Sequence, residues 1–163
     1  MRVGILSDTH DQIERAAAAV DLLVSEGADV LVHCGDLTGT EMVEACARLP
    51  VYYVFGNNDF DEDALRTAIQ KNKGVCLEKT GEFVLEGRRI AVTHGDSRRQ
   101  LRALEVSQPD YVLFGHTHQP SDERIGRTRW INPGALHRAR SWTVAVLDLE
   151  RDALRFLNVE RGG

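Results

Sequence analysis

The chain has 163 residues, enough for one domain with a sizeable core but tight for two, so we predict a single domain over residues 1–163. A formal net charge of −5 without a dense Lys/Arg run argues against general nucleic-acid binding. The first apolar run is too short for a signal sequence or a membrane span, so no membrane association is expected. Three irregularly spaced cysteines are typical of reduced thiols and predict a cytoplasmic protein.

Strands and helices are predicted to alternate along the first 115 residues. Strands are predicted at residues 2–7, 28–35, 51–56 and 110–115, and helices at residues 11–27, 40–49, 62–72 and 99–107. In the first helix, Asp11 is predicted as the N-cap, with Glu14 three residues later, and Gly27 is predicted to end the helix. Continuous apolar strands between helices indicate parallel strands covered by helices.

Antiparallel pairs are predicted in the second half of the chain. They are two strands within residues 82–95 around a turn at Glu86-Gly87, and a C-terminal hairpin of residues 141–150 and 153–160 around a turn at Arg151-Asp152. The sequence therefore predicts an α/β protein with a mixed strand arrangement.

Five predicted strands each end in side chains that can carry chemistry. These exits are Ser7-Asp8-Thr9-His10, Cys34-Gly35-Asp36, Gly56-Asn57-Asn58-Asp59, His94-Gly95-Asp96 and Gly115-His116-Thr117-His118. In α/β sheets, ligands bind in the crevice beyond the carboxyl ends of the strands, so these side chains are expected to meet there. Carboxylate, imidazole and amide donors suit divalent ions such as manganese, iron, cobalt, nickel or zinc.

Each motif also has an ordinary explanation when it is taken alone. GDL and GNND are common turns, and His116 and His118 could lie on an exposed turn. The joint occurrence of the motifs, each after its own strand, favours a metal site. Other residues serve as controls. His33, inside an apolar strand, is predicted to be a hydrogen-bonded core histidine or to support the metal ligands from behind. His137 is predicted to lie near the mouth of the site or on the surface, and Cys34 to pack or to lie directly behind the ligands.

The set of motifs resembles that of the calcineurin-like metallophosphoesterase superfamily. The matching motifs are DxH at Asp8/His10, GD at Gly35/Asp36, GN[HCN]D at residues 56–59, His94-Gly95, and GHTH at residues 115–118. The short length and the later INPGA segment resemble the small YfcE-like phosphodiesterases in particular. The resemblance spans at least residues 3–135, and it is specific for the superfamily but much less specific for a substrate.

The resemblance implies a fold and a metal centre. The fold would be a four-layer αββα sandwich of two mixed β-sheets flanked by helices. The centre would hold two divalent transition-metal ions, with manganese favoured and iron, nickel, cobalt or zinc as alternatives. One ion would be bound by Asp8, His10 and His118, the other by Asn57, His94 and His116, and Asp36 would bridge them.

A metal-dependent phosphodiesterase acting on small-molecule phosphoesters is the function that the resemblance favours. In two-metal chemistry the ions clamp phosphoryl oxygens and acidify a bridging water, and the resulting hydroxide attacks phosphorus in line with the leaving group. The predicted catalytic residues are Asp36, Asn57, Asn58 and Asp59. Asn58 stands where many relatives carry a histidine that assists the leaving group, and Asp59 is predicted to orient ligands or stabilise the turn.

Two alternatives remain open, a phosphomonoesterase or nucleotidase, and a non-catalytic protein-binding scaffold of the same fold. All seven predicted ligand positions carry residues that can bind metal, which disfavours the scaffold. Arg98, Arg99 and Arg138 could bind phosphate, although solvated surface arginines are the commoner case. Relatives often form dimers or tetramers, so the resemblance allows a homodimer or a homotetramer.

Overall fold

A computed structural model describes residues 1–160, and the last three residues of the predicted domain lie outside the described part. In chain order the elements are β1 (Arg2–Leu6), α1 (Ile13–Ser25), β2 (Val30–His33), α2 (Thr40–Cys46), β3 (Val51–Tyr53), α3 (Glu62–Lys71), β4 (Val75–Cys76), β5 (Thr80–Leu85), β6 (Arg88–Thr93), α4 (Arg98–Ser107), β7 (Tyr111–Leu113), β8 (Ser121–Ile125), β9 (Thr128–Asn132), β10 (Thr143–Asp148) and β11 (Ala153–Asn158). Within these residues, no helix is both long and apolar enough to span a membrane.

The strands form two mixed sheets. The first sheet has the order β11-β10-β1-β2-β3-β4, in which β1 to β4 are parallel and the β10–β11 hairpin is antiparallel. The second sheet has the order β5-β6-β7-β9-β8, with β6, β7 and β9 parallel and the two outer strands antiparallel. In each sheet the carboxyl ends of the central strands therefore lie at one edge.

Three groups of buried apolar residues define four layers. Val3, Ile5 and residues of β6 and β7 fill the space between the two sheets. Leu6 and Leu31 point to the other side of the first sheet and pack against α1, α2 and α3. Trp130 packs with Leu101 and other residues of α4 on the outer face of the second sheet. The predicted αββα sandwich is confirmed, and burial on both faces explains the continuous apolar strands.

The end of the first helix is predicted correctly and its start is not. Gly27, with φ +83°, donates its N–H to the carbonyl of Val24, and the N–H of Ala28 bonds Leu23, which is a Schellman ending. The helix begins at Ile13, after Gln12, so the prediction of Asp11 as the N-cap is wrong. Asp11 has left-handed backbone with φ 59°, and its N–H bonds the carbonyl of Leu37.

The predicted hairpins are confirmed, and one hairpin was missed. Glu86 and Gly87 both have positive φ in the β5–β6 turn, and β10 pairs with β11. The missed hairpin is β8–β9, within residues 121–132. Four of the five residues of β8 are exposed at the sheet edge, so the segment lacks the apolar alternation that predicts a strand. The short strand β4 was also missed, and α2 ends three residues before its predicted boundary.

Candidate metal centre

The two sheets bring their strand ends together at one edge. The loop after β1 carries Asp8 and His10, and the loop after β2 carries Asp36. From the second sheet, His94 follows β6 and His118 follows β7. Ligand-type atoms of these residues fall into two overlapping clusters, Asp8/His10/His118 and Asp8/Asp36/His94, with all atoms of a cluster within 4.8 Å of one another.

The side chains of the clusters point at a common centre. Asp36 Oδ2 lies 3.2 Å from His10 Nε2 and 3.3 Å from His94 Nε2. Asp8 Oδ1 lies 3.2 Å from His118 Nε2, and 3.8 Å from the Nε2 atoms of His10 and His94. Each carboxylate therefore faces several imidazoles at distances that a shared cation would span.

Three buried polar atoms in this centre lack hydrogen-bond partners. Asp8 Oδ1, His10 Nε2 and His94 Nε2 make no hydrogen bond with any group of residues 1–160. A buried polar atom without a partner costs about 1–3 kcal/mol, so three converging atoms of this kind require an explanation. A divalent cation would satisfy all three, since each is an electron-pair donor of a type that transition metals bind. The residues present therefore fit a metal site.

Main-chain carbonyls orient two of the histidines. His94 Nδ1 lies 2.8 Å from the carbonyl oxygen of Cys34, and His118 Nδ1 lies 3.2 Å from that of Arg138. A carbonyl only accepts, so Nδ1 donates and Nε2 of a neutral ring keeps its lone pair toward the centre. This arrangement is typical of histidines that bind metal through Nε2.

Backbone conformation at the site is unusual. Five of the predicted ligand residues have left-handed backbone: Asp8, His10, Asp36, His116 and His118. Such conformations are costly outside glycine and concentrate at functional sites. Two glycines also permit close approach, because a Cβ at Gly56 would collide with the Asp36 carboxylate and one at Gly115 with Ser7 and Asp8.

Asp59 organises the loops around Asp36. Its carboxylate accepts hydrogen bonds from the N–H groups of Gly56 at 2.7 Å, Asp36 at 2.8 Å and Thr38 at 2.7 Å. It is buried and joins the loops after β2 and β3. These contacts agree with the predicted turn-stabilising role, and among the described residues they link Asp59 to no ligand histidine.

Asn58 contacts Asp36 directly. Its side-chain amide donates to Asp36 Oδ2 and its main-chain N–H to Asp36 Oδ1, each at 2.9 Å. Ser7 similarly donates to Asp8 Oδ2 at 2.6 Å. The sequence prediction missed both contacts. The available signal was the position of Ser7 and Asn58 in the strand exits, where short polar side chains lie next to ligands.

The side chains of Asn57 and His116 make fewer contacts with the other predicted ligands. The N–H of His116 donates to Asp8 Oδ2 at 3.0 Å, and its ring packs edge-on against His94 with 5.1 Å between centroids. The ring nitrogens of His116 belong to neither cluster found within residues 1–160. Asn57 is exposed, and its side chain makes no hydrogen bond in the described part of the chain. The structure thus groups Asp8, His10, Asp36, His94 and His118 tightly and leaves these two at the margin.

The carboxylates and histidines shift each other's pKa. The neighbouring carboxylates of Asp36 and Asp8 raise the pKa of His10 to about 9. Burial works against ionisation of Asp36, but His10, His94 and Asn58 outweigh it and hold the pKa of Asp36 far below its usual range. Burial also opposes protonation of His94, yet the same two carboxylates raise its pKa. Without metal, the two carboxylates therefore favour the protonated forms of His10 and His94.

The predictions for the control residues are confirmed. His33 is fully buried, accepts the N–H of Gly35 at Nδ1 and contacts the Thr9 hydroxyl at 3.0 Å through Nε2. Burial lowers the pKa of His33 to about 4, so the ring is neutral. His137 lies at the mouth of the site and stacks on His10 with 4.6 Å between ring centroids. Cys34 packs between the sheets.

The fold and this geometry agree with comparisons to known proteins. Residues 1–152 match the calcineurin-like phosphoesterase superfamily domain, and the chain belongs to that superfamily. The expectation of an enzyme acting on phosphoesters is confirmed at the level of the family.

Individual relatives match most of the chain. It is 26% identical to phosphodiesterase MJ0936 of Methanocaldococcus jannaschii, over 98% of this chain and 100% of that protein. It is 25% identical to phosphodiesterase YfcE of Escherichia coli, over 83% of this chain and 79% of that protein. The solved structure of an archaeal phosphodiesterase superposes with a TM-score of 0.90 at 24% identity, covering 97% of this chain and 99% of that one.

Proposed function

We propose that this protein is a metal-dependent phosphodiesterase with a binuclear centre of divalent transition-metal ions. The observation that carries the proposal is the convergence of Asp8 Oδ1, His10 Nε2 and His94 Nε2 as buried atoms without hydrogen-bond partners in residues 1–160. Membership of the superfamily and the names of two relatives support phosphodiester chemistry.

The first ion would be held by Asp8, His10 and His118, and Asp36 would be shared with the second. The second ion would be held by His94 together with two residues at the margin, Asn57 and His116. Manganese is the favoured ion, with iron, nickel, cobalt or zinc as alternatives. When bound, two such ions supply Lewis acidity toward phosphoryl oxygens and lower the pKa of water.

The protein's own residues position the reactants. Asp59 fixes the two loops that carry Asp36 and Asn57 through its three main-chain hydrogen bonds. Asn58 orients the Asp36 carboxylate and can donate a hydrogen bond to a phosphoryl or leaving-group oxygen. An amide does not supply a proton near neutral pH, so Asn58 cannot act as a general acid. The site is therefore suited to diesters whose leaving group is acidic enough to depart without protonation.

The monoesterase alternative can be tested by comparing a diester and a monoester that share the same leaving group, p-nitrophenolate. Metal-loaded protein should hydrolyse bis-p-nitrophenyl phosphate with a kcat at least about tenfold above that for p-nitrophenyl phosphate, and glycerol phosphate should be hydrolysed poorly because its alkoxide leaving group needs a proton. A dianionic monoester would bind the cations more tightly in the ground state than in the transition state, which lowers kcat. Efficient turnover of glycerol phosphate would refute the proposed diester preference.

We propose further that residues 1–163 form one domain that works in the cytoplasm as a homodimer or homotetramer on small phosphoesters. Free thiols at Cys34, Cys46 and Cys76 support a reducing compartment. Size-exclusion chromatography with light scattering would measure the assembly directly, and a monomer would contradict it.

A further inference from the structure

A pocket opens beside the candidate metal centre. It has a volume of about 400 Å³ and is lined by Arg138, Arg140, Gln119, Ser141 and His118. We call it the basic pocket. We propose that the basic pocket binds a second phosphate group on the substrate, so that the enzyme selects phosphodiesters that carry an additional phosphate. This inference rests on the proposed function and names a substrate class for it.

His118 forms the wall shared by the pocket and the metal centre. Its Nε2 lies 3.2 Å from Asp8 Oδ1, while its Nδ1 faces the carbonyl oxygen of Arg138 at 3.2 Å. A group in the basic pocket therefore lies against a residue that also belongs to a ligand cluster of the centre. A substrate that reacts at the metal centre can reach the pocket with a short connection.

The loop that carries the arginines is fixed to the site. The N–H of Leu136 donates to the carbonyl of Asp8, and the Leu136 carbonyl accepts from Arg15. Arg138 has left-handed backbone with φ 46°, and His118 holds its carbonyl. The backbone of this loop therefore has a defined position relative to Asp8 and His118, even though the two guanidinium groups are exposed.

The chemistry of the lining matches an anion. Two guanidinium groups, the Gln119 amide and the Ser141 hydroxyl provide donors, and no carboxylate lines the pocket. Arg138 and Arg140 have no ion-pair partner within residues 1–160, whereas Arg129 is paired with Asp122 and Asp152. Guanidinium groups bind phosphate through paired, charge-assisted hydrogen bonds.

The position of these arginines distinguishes them from others on the surface. Arg99 lines a different pocket, at the start of α4, that contains no predicted metal ligand. The pocket at the start of α1 is acidic, with Asp11, Glu14 and Glu160 among its lining residues. Although the chain has a net charge of −5, the basic pocket beside the metal centre presents positively charged hydrogen-bond donors. Of the three phosphate-binding candidates in the sequence, only Arg138 is placed there.

The test compares two substrates that differ by one phosphate. Thymidine 5′-(p-nitrophenyl phosphate) and its 3′-phosphorylated form share the reacting diester and the leaving group. Wild-type, metal-loaded protein should prefer the 3′-phosphorylated form by at least about tenfold in kcat/KM, because hydrogen bonds to charged groups are among the stronger ones. In the double variant Arg138→Gln/Arg140→Gln this preference should fall to about one.

A matched variant controls for net charge. Arg102→Gln/Arg127→Gln removes two exposed arginines that do not line the basic pocket and should keep the preference. A wild-type preference near one, or an equal loss of preference in both double variants, would overturn the proposal.

A binding measurement separates this proposal from the proposed function. If neither ester is hydrolysed, the proposed function fails, and calorimetry with thymidine 3′,5′-bisphosphate and thymidine 5′-phosphate decides the pocket alone. Tighter binding of the bisphosphate, lost in Arg138→Gln/Arg140→Gln, supports the pocket. Equal affinity of wild-type protein for both nucleotides contradicts it.

Discussion

The interior of the candidate metal centre and its rim differ in how their side chains are held. Asp8, Asp36 and His94 in the interior are at most 2% exposed and are fixed by main-chain or side-chain hydrogen bonds. At the rim, Asn57 and Arg138 are exposed, and their side chains make no hydrogen bond within residues 1–160. The difference indicates that the interior is preorganised for metal binding, whereas the rim is free to adapt to the substrate.

Removing the charge of Asp36 should produce the largest effect. Asp36→Asn takes away the carboxylate that both ions would share, so kcat/KM for bis-p-nitrophenyl phosphate should fall about 10²–10³-fold. Asp63→Asn is the matched control, because Asp63 has a 99% exposed side chain on α3. Equal activity in the two variants would show that the interior has been assigned wrongly.

Metal affinity should depend on pH because the interior binds protons in the absence of metal. The pKa of His10 is raised to about 9, so a metal ion must displace a proton from it at neutral pH. Affinity should therefore fall about tenfold per unit as pH decreases below about 9, or about 10²-fold by pH 7. Calorimetry in buffers of different ionisation enthalpy would detect the released proton, and an affinity that is constant over this range would contradict the assignment.

The same proton affects the stability of the metal-free protein. Because the folded pKa of His10 exceeds its usual value, the group stabilises the fold fully below about pH 6.5, and this contribution is lost as pH rises through about 9. His33 acts in the opposite direction, since its pKa is lowered to about 4 and its stability contribution is lost as pH falls from about 6.5 to about 4. Thermal unfolding without metal should therefore show stability falling in both ranges.

Removing the hydrogen bonds that hold the loops around Asp36 should have an intermediate effect on metal affinity. Asp59→Ala removes three hydrogen bonds from the loops around Asp36 and should weaken metal binding about 10–100-fold, as changes in the supporting shell commonly do. Asp61→Ala is the control, because Asp61 caps α3 by accepting from the N–H of Ala64. It should cost about 1 kcal/mol of stability and leave metal affinity unchanged. Loss of affinity in Asp61→Ala would indicate a general folding defect.

The smallest expected effect comes from adding a proton donor beside the interior. Asn58→His should raise kcat/KM for alkyl diesters about tenfold relative to bis-p-nitrophenyl phosphate, since an alkoxide needs protonation more than p-nitrophenolate does. Asn58→Ala should give no such relative gain. Metal content must be measured in each variant. An unchanged ratio at full metal content would show that Asn58 does not limit the chemistry of the leaving group.

The sequence predicts the interior well because its signals are local. Each ligand directly follows an apolar strand, and parallel neighbours must end at one edge, so Asp8 and Asp36 of the first sheet could be expected to meet. The family resemblance assigned His94, which follows a strand of the second sheet, to the same centre. The prediction that Gly27 ends α1 also rests on a local signal, and the structure confirms it. The incorrect N-cap at Asp11 arose because a long-range bond to Leu37, invisible in the local pattern, fixes that residue in a turn.

The contacts between loops around the interior could not be predicted in the same way. The contact of Asn58 with Asp36 joins loops that are 22 residues apart, and its geometry depends on how both loops turn. Arg140 lines the basic pocket because the loop of residues 133–141 folds back against His118 and Asp8. The hydrophobic periodicity of the sequence does not indicate this path of the loop. The polar strand β8 was missed for a related reason, since its exposed side chains carry no burial pattern.

The number of metal ions per chain tests the central claim most directly. Protein stripped with chelator, saturated with manganese and dialysed should contain two ions per chain by elemental analysis, because seven ligand-type residues exceed the needs of one tetrahedral ion. The same measurement on Asp63→Asn should also give two. One ion or fewer in the wild-type protein at saturation would contradict the binuclear centre.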